Sequence, residues 1–347
     1  MSSWYTDYTK YKSLDCPTGV TLDLMHQTVL VADSCNHRVL GFSLTGVINR
    51  AITMLGGVRM RSPTGLAVDP TGNLYICESS RHRVCVVRPD GGMSHWFGRP
   101  GEGDGRFCTL RAIAVGARVP HLGCPHCSGA GSDDPEVFVV DSQGGTHDAG
   151  AIQVFTPAGQ FLRRWLGTPN PSHISAESTN GPRVARSAGM GVNGSAVTSA
   201  FEIPTEGFTH PYGISIGPFD GLLYVCDIDS VVVLRPCNGS VVRKFFVGRQ
   251  TPASPKWPHA MPMSLVVDPR GFVLVTIANQ SASFHKRSHL EVYSRFGQCL
   301  AVVGYDGETS RRPSELEFWN PDGIAIHPDL LTAYVVDAYH NRIVCLQ

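Results

Sequence analysis

The chain lacks an excess of either charge: its 347 residues hold 29 lysines and arginines against 29 aspartates and glutamates. Proteins that grip nucleic-acid phosphates usually carry a basic surplus, so the total gives that role no support. Long apolar runs are also lacking, and no stretch approaches the roughly 18 residues that cross a bilayer as a helix. The first fifteen residues place Trp4, Tyr5, Tyr8 and Tyr11 among polar neighbours, without the apolar core of an export signal. Eleven cysteines are an odd number and follow no framework spacing, so reduced thiols and a cytoplasmic location are expected. No Gly-x-Ser-x-Gly elbow, phosphate-binding glycine loop or dinucleotide fingerprint occurs, which removes the commonest serine-hydrolase and nucleotide-dependent chemistries. RING, B-box and coiled-coil segments are missing as well.

Against these absences stands a composition of 42% hydrophobic and 17% charged residues, suited to a strand-rich globular chain. Within it one unit recurs. Short apolar runs end on an acid at Asp33, Glu78, Asp141, Asp227 and Asp337, and a sixth, Val273 to Ala278, keeps the run without the acid. Their β-branched and aromatic content marks them as buried strands. An earlier strand precedes each run, opening at Pro17-Thr-Gly, Pro63-Thr-Gly, Leu110-Arg-Ala, Pro211-Tyr-Gly, Pro262-Met-Ser and Pro321-Asp-Gly. Gly19 lies 14 residues before Asp33, as Gly213 does before Asp227 and Gly323 before Asp337. A third strand follows each acid, and a fourth ends on glycine in the first five copies. The expected fold is therefore all-β: a six-bladed β-propeller of four-stranded antiparallel blades, forming one domain over residues 1–347. The last copy ends after its third strand. Residues 1–16 are therefore expected to supply the N-terminal strand that completes the last blade, and 168–208 to form a long flexible insertion between blades.

The turns Asp33-Ser-Cys-Asn-His-Arg38, Glu78-Ser-Ser-Arg-His-Arg83 and Asp337-Ala-Tyr-His-Asn-Arg342, with the Pro-x-Gly openings, resemble the NHL repeat. The absence of a Trp-Asp dipeptide closing any third strand weighs against the WD40 alternative. The recurring acid–arginine pair is read as structural, the carboxylate taking backbone N–H bonds of its turn and pairing the arginine.

In this plan the turns between second and third strands and the connections between blades open on one face, and the longest insertions gather there. Arg59, Arg61, Arg81, Arg99, Trp257, Arg311, Arg312, Phe318, Trp319 and Tyr339 are the candidate binding residues on that face. Arginine beside aromatics suits a protein interface or stacked single-stranded RNA. Some NHL propellers bind RNA on this face and others protein. The neutral charge favours a non-catalytic scaffold for a protein partner, with single-stranded RNA binding as the alternative. No membrane, small-molecule substrate or cofactor is expected.

An enzyme is the third reading, as a metal-dependent lyase or hydrolase of the propeller type. The amidating lyases resemble NHL propellers and hold zinc with histidines in Pro-His-x turns. The matching positions here are Thr18, Thr64, Arg111, Tyr212, Met263 and Asp322, and none is histidine. Lactonase-like propellers gather acid and amide ligands around calcium, and Asp322 is the one match. Elsewhere, Cys124 and Cys127 are spaced to chelate a metal with His121, but no second such pair exists, so a free-thiol loop is the simpler account.

Overall fold

Runs of β-branched and aromatic residues bounded by turns pair as antiparallel hairpins, and the chain contains six such sheets of at least four strands. The computed structural model describes residues 2–4, 13–117, 135–143, 149–168, 203–204, 207–248, 260–279, 288–304 and 317–347. Trp257, Arg311, Arg312, His121, Cys124 and Cys127 lie outside these, as does most of the 168–208 insertion. Blade one runs from the axis outward as Pro17–Asp23, Thr28–Asp33, Arg38–Ser43 and Ile48–Ile52. The innermost strands of the next five blades are Pro63–Val68, Leu110–Ala117, Ile214–Ile216, Ala260–Val267 and Pro321–Ile326. Each packs against the next, and the sixth against the first, which closes the ring.

Closure is also made at the edge. Ser2–Trp4 pairs antiparallel with Arg342–Leu346, Ser2 opposite Cys345 and Trp4 opposite Ile343, so the N-terminal strand completes blade six. Blade three gains a fifth strand that the repeat does not foretell: Ile203–Pro204 returns parallel to Phe161–Leu166 and covers that blade's outer edge. The core is divided in the same way as the chain, into six buried clusters, one at each blade interface. A blade alone would leave both of its apolar faces wet, so each is stable only between neighbours.

The recurring acid has a different partner from the one expected. Asp33 accepts the N–H of Asp15 at 2.8 Å, and Glu78 that of Arg61 at 2.7 Å. Asp141 accepts from Cys108 and Thr109, Asp227 from Thr209 and His210, and Asp337 from Trp319. In each case the donor belongs to the segment entering the same blade. The acid at the end of strand two thus clasps the chain just before strand one, which explains the near-constant spacing. The arginine pairing is as expected, with Nε to carboxylate at 2.6 Å for Arg38–Asp33, 2.7 Å for Arg83–Glu78 and 2.8 Å for Arg342–Asp337. Ile277 stands in the acid's place in blade five, opposite Pro262 and His289. There a fully buried glutamate on the third strand, Glu291, receives the Gly248 N–H at 2.9 Å and the Tyr293 hydroxyl at 2.5 Å.

The glycine of Pro-x-Gly is required by close approach. A Cβ on Gly19 would lie 2.1 Å from the Thr64 carbonyl oxygen, and one on Gly323 2.4 Å from that of Thr18. Backbone cannot yield as a side chain can. Gly19→Ala is therefore expected to destabilise the ring at the upper end of about 1–3 kcal/mol, read as a lower urea midpoint. Ala112, which holds the same place in blade three, should tolerate replacement by glycine with a much smaller shift.

Candidate functional site

The openings of the innermost strands converge on the axis. In five of them the ladder is broken near the start, between Pro17 and Val20, Pro63 and Leu66, Leu110 and Ala112, Pro262 and Ser264, and Pro321 and Ile324. Such bulges re-aim side chains and recur beside functional sites. The residues they carry, Thr18, Thr64, Arg111, Met263 and Asp322, join Tyr212 of blade four in lining an axial cavity of about 300 Å³. Small-molecule pockets span roughly 300–1,000 Å³, so this one suits a small ligand.

Among the described residues, Arg111 and Asp322 are the only charged ones lining that cavity. The guanidinium of Arg111 stands over the Tyr212 ring, 5.1 Å from its centroid, a cation–π contact that fixes its direction. Asp322 is anchored through its backbone, its carbonyl accepting the hydroxyl of buried Thr276 at 2.7 Å. Thr276 is itself tied to the Ser264 N–H at 3.0 Å. Burial raises the Asp322 pKa above the ordinary carboxylate value, and the charge of Arg111 pulls it partly back. The wall thus offers a fixed cation and a carboxyl poised for proton exchange. The threonine hydroxyls are spent on structure: Thr18 bonds Ser34 at 2.7 Å and Thr64 bonds the Leu110 carbonyl at 3.2 Å.

The donor set does not fit the metals of the two enzyme resemblances. Among the described residues one carboxylate, no histidine and no second acid line the axis, and the one group of three ligating side chains lies elsewhere.

The candidate face residues divide. Phe318 is 1% exposed, packed with Leu290, Ile324, Val335 and Val344, so its expected role at an interface is corrected: it is a core residue of the blade five–blade six junction. Arg81 is held by Glu78 and by the Arg59 carbonyl, which gives it a structural role within blade two. Arg59, Arg61 and Arg99 are exposed. Trp319 and Tyr339 are exposed and meet edge to face at 5.7 Å. Among the described residues no helix is long and apolar enough to cross a membrane.

The NHL repeat model matches residues 14–42 and 60–87, the first two blades' inner strands. Blades one and two of this six-bladed β-propeller are thus similar to NHL repeats. No curated protein sequence matches it significantly. Among solved structures, a gluconolactonase from Xanthomonas campestris is similar over 99% of this propeller and 94% of its own chain, with 13% identity and a TM-score of 0.58. A streptogramin B lyase is similar over 100% and 96% of the two chains, with 12% identity and a TM-score of 0.51. Hydrazine synthase of Kuenenia stuttgartiensis follows at 99% and 80%, 16% identity and 0.55. At such identities the likeness is one of fold alone. It is nevertheless what overturns the expectation of a non-catalytic scaffold, and of no enzyme: propellers matched over nearly their whole length include a lactonase and a lyase. As metal ligands the axial positions carry little signal; the signal for Arg111 and Asp322 is an arginine and an aspartate in slots otherwise filled by threonine, tyrosine and methionine.

Proposed function

We propose that the chain is an enzyme that opens a small carboxylic ester, of the lactone class, at the axial cavity. The observation that carries this reading is that Arg111 and Asp322 are, among the described residues, the sole charged residues on the cavity wall. The gluconolactonase among the similar propellers supplies the substrate class. Ester hydrolysis needs a base for water and a cation for the developing oxyanion. Asp322 takes a proton from water as the oxygen adds to the carbonyl carbon, and the negative charge collects beside Arg111. When the ring C–O bond breaks, the proton returns from Asp322 to the leaving oxygen. Tyr212 and Thr276 position these groups and take no part in the transfer.

The test is hydrolysis of a panel of sugar and aliphatic lactones by the purified chain in the presence of a chelator. No turnover of any lactone overturns the proposal. Arg111 also sets the pH profile. Asp322 works as the ionised form, so activity rises with pH through its pKa, which burial has already raised. Arg111→Met removes the stabilising cation, so the acid limb of kcat/KM is expected to move to higher pH as the rate falls. An unmoved limb would show that the two groups are not coupled in the reaction.

A further inference from the structure

A second group of chemically capable side chains lies where the chain enters blade one. Asp15, Cys16 and Cys35 bring one ligating atom each to within 4.8 Å of one another, although 19 residues separate the two cysteines. The fold holds them there. The Cys35 N–H donates to the Asp15 carbonyl at 3.1 Å, the Asp15 N–H to Asp33 at 2.8 Å, and the Cys16 N–H to the Asn341 side chain at 3.1 Å. The last bond crosses from blade one to the turn of blade six. Both cysteines are exposed, and none of the three residues lines the axial cavity.

We propose that Asp15, Cys16 and Cys35 form a binding site for a thiophilic divalent cation, zinc in the first instance, at the seam where the first and last blades meet. Two thiolates and a carboxylate are a donor set zinc accepts. At zinc–sulfur bonds of about 2.3 Å, tetrahedral geometry sets the sulfurs about 3.8 Å apart, a separation compatible with the observed grouping. Three protein ligands leave the fourth position to water. Burial, and then the hydrogen bond with Cys35, push the Cys16 thiol up to about 11. The cation must therefore displace thiol protons, and its apparent affinity falls as pH falls, by up to about a hundredfold per pH unit if two protons leave.

The experiment uses the full chain carrying Cys124→Ser and Cys127→Ser, so that the other cysteine pair cannot contribute, reduced with a phosphine and freed of metal. Cobalt(II) is titrated in and then displaced with zinc. The expected result is one cobalt per chain with a thiolate-to-cobalt charge-transfer band, lost in Cys16→Ser/Cys35→Ser with at least a hundredfold fall in affinity. Asp15→Asn, which keeps both sulfurs, is expected to weaken binding about tenfold and to leave the band in place. Zinc should also slow alkylation of Cys16 and Cys35, mapped by mass spectrometry. No band in the reduced starting protein, a band that survives loss of both cysteines, or a Cys16–Cys35 disulfide that resists the phosphine would each overturn the proposal. None of these readouts depends on lactone turnover, so this site and the axial one stand or fall separately.

Discussion

Replacing Asp322 by asparagine is expected to lower kcat/KM for lactone opening by about 10²–10⁴-fold, the range contributed by a positioned general base. The amide keeps the size of the carboxyl and loses only its proton exchange, so KM should change little. Stability should move in the opposite direction from activity. Burial raises the Asp322 pKa above its unfolded value. This carboxyl therefore favours the fold fully below its unfolded pKa and ceases to as pH rises through the folded one. The ionised form, the one that works, is the form the fold tolerates least. Asp322→Asn removes that cost, so its melting temperature at neutral pH should equal or exceed that of the parent and lose the dependence on this titration. Groups kept in an unfavourable state for chemistry typically show this trade between stability and activity. An unchanged rate removes Asp322 from the reaction. A fall of several degrees in melting temperature would instead show that the side chain holds the axis together.

The architecture was legible because its cause is repetitive. Every blade must bury two faces against neighbours, which forces the same apolar runs at the same intervals and glycine wherever innermost strands touch backbone to backbone. The count of blades, the order of strands and an N-terminal strand completing the last blade follow from that pattern, whereas its place at Ser2–Trp4 within residues 1–16 does not. Contacts that the repeat does not require were harder to read. Arg111 and Asp322 come from blades three and six, and spacing along the chain does not encode that they line one cavity. Asp15, Cys16 and Cys35 were hidden for a related reason: the clasp on Asp33 folds the entry segment over the turn. Phe318 misled the reading because an aromatic beside an inter-blade loop has the same sequence context whether it faces out, as Trp319 does, or in.

Asp33→Ala is expected to be among the most damaging single changes, costing about 3–5 kcal/mol, the usual result of stripping one partner from a buried ion pair. The Asp33 side chain is wholly buried, and it receives the Asp15 N–H, the Asn36 amide at 3.0 and 3.1 Å and the Arg38 guanidinium at 2.6 Å. Its loss leaves a backbone donor without its acceptor and Arg38, 9% exposed, without its counter-ion. With an unfolding entropy of about 2.1 cal/mol/K per residue, the cost corresponds to a drop of about 4–7 °C in melting temperature if the ring unfolds as one unit. The clasp's worth is geometric more than electrostatic. Burial outweighs the bonds to Asp15, Arg38 and Asn36, so the Asp33 pKa is raised. Its contribution is accordingly full below the unfolded pKa and declines as pH rises through the folded value, and mild acid should not mimic Asp33→Ala. Removing Arg38 as well, in Asp33→Ala/Arg38→Ala, should cost less than the two single changes summed, by about 0.5–3 kcal/mol, because no unpaired charge then stays buried. Strict additivity would show that Asp33 and Arg38 are not coupled.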